Sequence, residues 1–592
     1  MELKIGQGKE IELAKIKVDV VEPHHTPKTQ VNESKLVIQK KNLTFSEKRK
    51  KLAEDKKNKK AKKQYLKGFN ASEAENNLLK LYQKGQYSES EMLAVFITKQ
   101  FPEHQFSWKI LGAIYAQTGR LSEALVAGKK AVHLMPKDAD ALNNLGTTLN
   151  SLGKIEEAEA TLGQAIALQP DSADAHNNMG NALTDKGDLG AAIDSYKRAL
   201  QIKPDFAVAY YNMGVALKAN DDPDGAIDSY QKALKIRPDY AEAYNNLGDT
   251  LNEEGKLDSA IDNLKQAIKI KPDFADASYN LAYPYLLLGS LEKGFNFYES
   301  RLRKTKPTLA PARAHLIWDG EKSLSGKHFV IYEEQGLGDI IQFCRYLPLL
   351  EQKGANITFK VKPNLHALLQ TMDSNSRLVS SISEENEIDF EVPLMSVPHL
   401  LNTSLETIPA ISPYLFADQE KIQTWGERVS TDKFKVGICW QGSKSNTMDG
   451  GRSFPLSLFE GISKIPHVEL ISLHKGEGEA QMAGIDFHVT TLGHDFDAGQ
   501  DAFLDTAAVM MNCNLIITAC TSIAHLAGAI GRPTWVALKQ IPDWRWMLDR
   551  PDSPWYPTMT LYRQKSRGDW VHVFDTIERD LRTMLKQNKA AK

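Results

Sequence analysis

The sequence predicts an all-α solenoid of stacked helix pairs followed by an α/β region of two lobes, a multidomain architecture that rests on three observations. Residues 73–307 repeat with small residues and prolines at fixed offsets. Beyond Pro307 that period stops, and short apolar runs alternate with helical stretches. A weaker stretch at 404–431, containing Ile408-Pro-Ala-Ile-Ser-Pro413, divides the second region in two.

The repeats come first because they determine most. Glycine recurs at 112, 146, 180, 214 and 248, and alanine at 124, 158, 192, 226 and 260. A second alanine stands at 131, 165, 199, 233 and 267, and proline closes units at 102, 136, 170, 204, 238 and 272. Small residues let two helices approach closely, and proline stops the second helix before the next begins. One pair cannot bury its apolar face alone, so neighbours must stack. This pattern resembles the tetratricopeptide (TPR) consensus, in seven repeats. The outer units depart from it at Ser90, Ile110 and Gly294, as capping repeats do.

Two residues before the glycine position stand Asn144, Asn178, Asn212, Asn246 and Asn280. An amide donates and accepts at once, so such a row on the groove-lining helices could hold an extended polypeptide whatever its side chains. Asparagine also caps or links neighbouring helices, and both readings stand at this point. The array resembles the asparagine ladder of O-GlcNAc transferase, which implies an acceptor-peptide groove.

In the second region the runs 328–332, 357–361, 436–440, 470–473, 515–518 and 534–538 read as strands of βαβ units in parallel sheets. The expected domains are a basic N-terminal segment at 1–70 without regular structure, the solenoid at 71–310, and lobes at 311–415 and 416–592. Eleven Lys or Arg against three acidic residues at 47–67 give that segment its charge, while the whole chain carries −2. A solvated linker and an anion-binding stretch both fit the run, the former better because aromatics do not interleave it. Cys344, Cys439, Cys513 and Cys520 lack close pairing and read as reduced thiols. No apolar run suggests a membrane span or a signal peptide, so a cytoplasmic protein that does not bind nucleic acid is expected.

Three segments could carry chemistry. In the first, Tyr332-Glu-Glu-Gln-Gly-Leu-Gly-Asp339 is a glycine-rich turn at a strand's carboxyl end, where open α/β sheets bind ligands. Gly336 and Gly338 permit close backbone approach, and Asp339 is either a reactive carboxylate or a helix cap. In the second, a strand leads through Gln441 and Ser443 to Gly450-Gly-Arg452-Ser-Phe-Pro455, where Arg452 either meets an anion or is solvated. In the third, a strand ends before Thr521-Ser522-Ile523-Ala-His525, whose helix-start amides suit a diphosphate; His525 either joins them or packs in the helix.

Gly338-Asp339, Arg452-Ser-Phe-Pro455, Thr521-Ser-Ile-Ala-His525 and Pro542-Asp-Trp-Arg-Trp546 together resemble the ADP-heptose:lipopolysaccharide heptosyltransferase-like enzymes across 318–570. The resemblance extends to bacterial TPR proteins that end in such a domain. It implies a GT-B fold and metal-independent, inverting transfer from a nucleotide-sugar co-substrate, with no other cofactor. It makes Asp339 the catalytic base, with Gly336, Gly338, Gln441, Ser443, Arg452, Thr521, Ser522, Ile523 and His525 around the donor. Where that family has aspartate, this chain has Cys520, which puts heptose specificity in doubt. The function expected is transfer of a sugar to a Ser or Thr hydroxyl of a protein held by the groove. The alternatives are a glycan or lipid-linked acceptor, or a TPR scaffold with a degenerate lobed module.

Overall fold

The computed structural model describes residues 2–5, 9–12, 71–304, 314–382, 387–442 and 450–590. Of the N-terminal segment, β1 (Glu2–Ile5) pairs antiparallel with β2 (Lys9–Glu12), strands that the sequence reading did not anticipate. The basic run at 47–67 lies outside the described residues. The chain divides into two compact units, Met1–Asp205 and Phe206–Lys592.

The first unit contains four helix pairs: Ala71–Gln83 with Tyr87–Gln100, Gln105–Gln117 with Leu121–Leu134, Ala139–Ser151 with Ile155–Leu168, and Ala173–Lys186 with Leu189–Ile202. Each of the last three second helices ends two residues before a repeat proline. The repeat alanines 124, 158 and 192 are wholly buried. The repeat glycine has a steric cause. A Cβ at Gly180 would lie 2.5 Å from the Tyr196 ring, and one at Gly146 would lie 2.6 Å from Leu162, so the second helix seats its large side chain on bare backbone of the first.

The second unit holds three more pairs and both lobes. Its pairs are Ala207–Ala219 with Pro223–Ile236, Ala241–Glu253 with Leu257–Ile270, and Ala275–Leu287 with Leu291–Tyr298. The unit therefore begins well before the lobes do, because these repeats pack against them. Ile541 lies where a Cβ on Gly255 would be, at 2.5 Å. Phe295 meets Trp544 edge-on at 5.6 Å. Exposed Arg567 pairs with Asp221 at 2.6 Å, a contact of little energetic weight.

The first lobe is a parallel sheet in the order β5-β4-β3-β6, built from β3 (His328–Tyr332), β4 (Asn356–Lys360), β5 (Arg377–Val379) and β6 (Phe390–Pro393). The second is a parallel sheet in the order β11-β10-β9-β7-β8, from β7 (Phe434–Cys439), β8 (Val468–Ser472), β9 (Leu515–Ala519), β10 (Thr534–Leu538) and β11 (Met559–Arg563). Alternate residues of β9 enter different cores: Ile516 joins one shared with the first lobe and the seventh repeat, Leu515 and Ile517 one closed by Phe574 and Leu581 of the Trp570–Ala590 helix. A sheet covered on both faces needs apolar residues on both, hence the continuous runs in the sequence. Strand order reverses between β3 and β6 in one lobe and between β7 and β9 in the other, and ligands of open sheets bind at the carboxyl ends beside such switches.

Within one repeat, two glycines should respond with opposite sign. Gly180→Ala overpacks against Tyr196 and should cost about 1–3 kcal/mol, whereas Gly190→Ala, whose Cβ meets nothing within 4 Å, should gain up to about 1 kcal/mol of helix propensity. Urea unfolding of the two variants measures both.

Candidate functional site

Both switch points carry the motifs singled out in the sequence, and the chain folds so that they face each other. After β3 the backbone turns through Gln335, which takes φ 66°, and Gly336 then caps the Leu337–Phe343 helix. The left-handed residue is therefore not one of the two glycines. Gly338 is needed for close approach instead, since a Cβ there would lie 2.9 Å from His525 Cδ2 and 3.4 Å from Ser522 Cα in the second lobe.

Asp339 is shared between two tasks. Its Oδ2 accepts from Gly336 N at 2.8 Å, so the cap reading holds for one oxygen. Its Oδ1 accepts from Arg545 Nη2 of the second lobe. Arg545 also donates through Nη1 to both oxygens of Asp543, at 2.9 and 3.1 Å. Burial lifts the Asp339 carboxyl above the ordinary carboxylate range, outweighing the pull of Arg545. Asp543 goes the other way, held low by the same guanidinium against the effect of burial.

After β7, Gln441 is buried and accepts from Gln481 Nε2 at 3.0 Å. Gly442 donates to Ser453 Oγ at 3.1 Å, and a Cβ on Gly442 would fall 2.6 Å from Arg452 Nη2, so the guanidinium lies across that backbone. Ser443 lies outside the described residues. After β9, Thr521 Oγ1 accepts from Ile523 N at 3.3 Å and caps the Ser522–Ala529 helix. His525 packs rather than presents a charge. It is buried, its Nδ1 is 3.0 Å from Tyr556 Oη, its ring stacks on Trp546 at 5.4 Å, and burial pushes its pKa down to about 3. Cys520 accepts from Trp546 Nε1 at 2.9 Å, and burial pushes the thiol up to about 11. The structure thus brings Asp339, Gly338, Thr521, Ser522 and His525 together across the lobes.

The sequence reading gave no role to Arg545 and Asp543, which lay inside a motif used for resemblance. It also missed the seventh repeat's share in the site. Tyr298 Oη accepts from Gln335 Nε2, and Arg301 makes a buried fork to Glu334, Nε to Oε2 at 3.1 Å and Nη2 to Oε1 at 2.7 Å. Glu334 further accepts from Met395 N at 2.8 Å. Consecutive residues just before the Gly336–Asp339 turn are thus held from the last repeat.

The asparagine row is half-buried throughout. In the first unit Asn178 Nδ2 donates to Asn143 Oδ1 of the preceding repeat at 2.9 Å. In the second, Asn246 donates to Tyr211 Oη at 3.1 Å and Asn280 to Asn245 Oδ1 at 3.0 Å. These three amides link repeats through one N–H each, and an amide has a second N–H to give, so both readings of the row stand.

Residues 146–184 and 180–221 match a family model described as TPR repeat, and residues 205–273 match one described as tetratricopeptide repeat. The chain thus carries TPR repeats, a scaffold for protein interaction. It is similar to Protein FlbA of Caulobacter vibrioides, 26% identical over 329 residues, covering 50% of this chain and 53% of FlbA. The chain spans about half the length of that relative. Among solved structures, that of MamA is 28% identical and covers 27% of this chain and 95% of its own, with a TM-score of 0.25. That of YrrB, titled a TPR protein with an unusual peptide-binding site, is 27% identical over 29% and 90% at a TM-score of 0.26. Among the described residues no helix is long and apolar enough to cross a membrane.

Removing Arg301 strands the buried Glu334 carboxylate, whereas removing the Glu334 charge leaves Arg301 its ion pair with Glu299 at 2.6 Å. Arg301→Met should therefore lower the unfolding free energy of the second unit by about 3–5 kcal/mol, Glu334→Gln should cost less, and replacing both together should cost less than the sum. Chemical denaturation of the singles and the double tests this.

Proposed function

We propose that the chain is a glycosyltransferase that moves a sugar from a nucleotide sugar to a Ser or Thr hydroxyl of a protein bound by the repeats. The observation that carries this reading is the meeting of Asp339, from the switch point of one sheet, with the Thr521–His525 turn from the switch point of the other. Two facing parallel sheets with a reactive carboxylate on one and a helix start on the other suit the GT-B arrangement that the sequence resemblance implies.

The chemistry follows from the placements. The diphosphate sits on the Thr521 and Ser522 amides, and on that of Ile523 as it turns from Thr521 Oγ1, with Arg452 beside it. The acceptor oxygen attacks the anomeric carbon and passes its proton to Asp339. The bond from that carbon to the diphosphate oxygen breaks, the electron pair leaves on the nucleoside diphosphate, and configuration inverts. Neutral His525 contributes shape, so the charge that develops on the leaving group falls to the amides and Arg452. Arg545 must yield Oδ1 as the proton arrives.

A second reading, a protein-binding scaffold without turnover, is favoured by one observation: both oxygens of Asp339 are already engaged.

Asp339→Asn should lower turnover by about 10²–10⁴-fold with nucleoside diphosphate affinity little changed. A base must be deprotonated to act, and burial raises the Asp339 pKa, so turnover should fall with decreasing pH at a value above the ordinary aspartate pKa of about 4. Steady-state rates from pH 4 to 9 read this limb; a rate unchanged in Asp339→Asn removes Asp339 from the mechanism.

Replacing Asn178, Asn212 and Asn246 together with Ala should abolish transfer to protein and spare donor hydrolysis. Loss of both activities, or of neither, counts against the groove as acceptor site.

A further inference from the structure

We propose that Asp543 is the group that recognises the transferred sugar, accepting hydrogen bonds from its ring hydroxyls, and that the site takes a neutral or amino sugar and rejects an acidic one. The inference rests on the transferase reading and names the donor class for it.

The two carboxylates held by Arg545 differ in what they leave open. Asp339 keeps 17% of its side-chain surface exposed and Asp543 keeps 35%, while the guanidinium between them keeps 7%. Asp543 Oδ1 accepts from both the Arg545 backbone N–H, at 3.0 Å, and Nη1, whereas Oδ2 accepts from Nη1 alone. A carboxylate oxygen takes two donors, so Oδ2 has room for one more.

The guanidinium holds that carboxylate in place. Arg545 is 6% exposed and packs over the Trp544 ring at 4.3 Å, so Asp543 is fixed by a rigid neighbour while its own Oδ2 keeps an acceptor site. A fixed acceptor at a part-exposed carboxylate matches a hydroxyl that donates. Neighbouring sugar hydroxyls present that donor repeatedly.

Location and charge agree. Trp546, at the end of the Pro542–Trp546 stretch, donates to the Cys520 thiol, and Cys520 immediately precedes the turn assigned to the diphosphate. The charges of Asp543 and Arg545 both act on that thiol, so the three groups are neighbours. Two carboxylates share one guanidinium here, and neither His525 nor Cys520 is ionised near neutral pH. A sugar carboxylate set against Asp543 Oδ2 would face a like charge, whereas hydroxyls, acetamides and ammonium groups would not.

Calorimetry on the full chain tests this with ADP, GDP and UDP, and with ADP-glucose, GDP-mannose, UDP-glucose, UDP-N-acetylglucosamine and UDP-glucuronate. One neutral nucleotide sugar should bind more tightly than its bare diphosphate. Asp543→Asn should erase about tenfold to a hundredfold of that surplus while leaving the bare diphosphate's affinity unchanged. That unchanged affinity certifies the fold, and if Asp543→Asn does not fold, Asp543→Glu should reorder preference among the neutral sugars. Preference for UDP-glucuronate overturns the proposal, as does a surplus that survives Asp543→Asn or an order unaltered in Asp543→Glu. Wild-type protein that binds a diphosphate but gains nothing from any sugar overturns it and leaves the transferase reading standing. Failure to bind any of the three diphosphates removes both.

Discussion

A guanidinium that has lost nearly all contact with water stands between two carboxylates from different sheets. Taking three charges out of water is costly, and the arrangement persists only because the geometry satisfies most of their donors and acceptors. Asp339 arrives from the helix after β3 and Asp543 from the loop after β10, so the ion triad exists only when the two lobes are together. Gly338 adds the steric condition, since any side chain there would push the helix of one lobe off the helix of the other. What the site can do chemically depends on this closeness. Burial raises Asp339 and Cys520 and lowers His525, while Asp543 is held low by Arg545 against burial.

Much of the fold could be read in advance because its causes are local or periodic. Glycine faces Leu162, Tyr196, Tyr230 and Leu264 across four helix pairs at one repeat position, and one steric need repeated four times leaves a visible period. Strands β3, β4, β7, β8, β9 and β10 announced themselves as apolar runs because they are covered on both faces. The three lobe strands that escaped, β5, β6 and β11, are short or lie at a sheet's edge, and Arg377-Leu-Val379 or Phe390-Glu-Val-Pro393 offers no run to notice. Glu391, wholly buried within β6, breaks the apolar pattern outright.

The site divided differently. Asp339, Thr521 and Arg452 could be picked out because each sits beside a glycine or at a helix start, where local rules apply. Their partners could not. Arg545 matters through a contact 206 positions away, and in sequence it is one charged residue between two tryptophans. His525 is open to two readings in sequence, joining the helix-start amides or packing in the helix, and its surroundings make it a neutral aromatic among aromatics. The asparagines lie between: their row was plain, but an amide's partner is a matter of three-dimensional neighbours, and here Asn143, Tyr211 and Asn245 are close enough to take the hydrogen bonds.

The fork between Arg301 and Glu334, with Tyr298 on Gln335, bears on how such a chain can vary by recombination. Units far from the lobes are interchangeable in principle, because each meets only its neighbours. The seventh unit is not, since it supplies groups that hold the turn ahead of Asp339. Lengthening, shortening or shuffling the array is therefore tolerable at its amino-terminal side, while the last repeat has to be inherited with the lobes as a single piece.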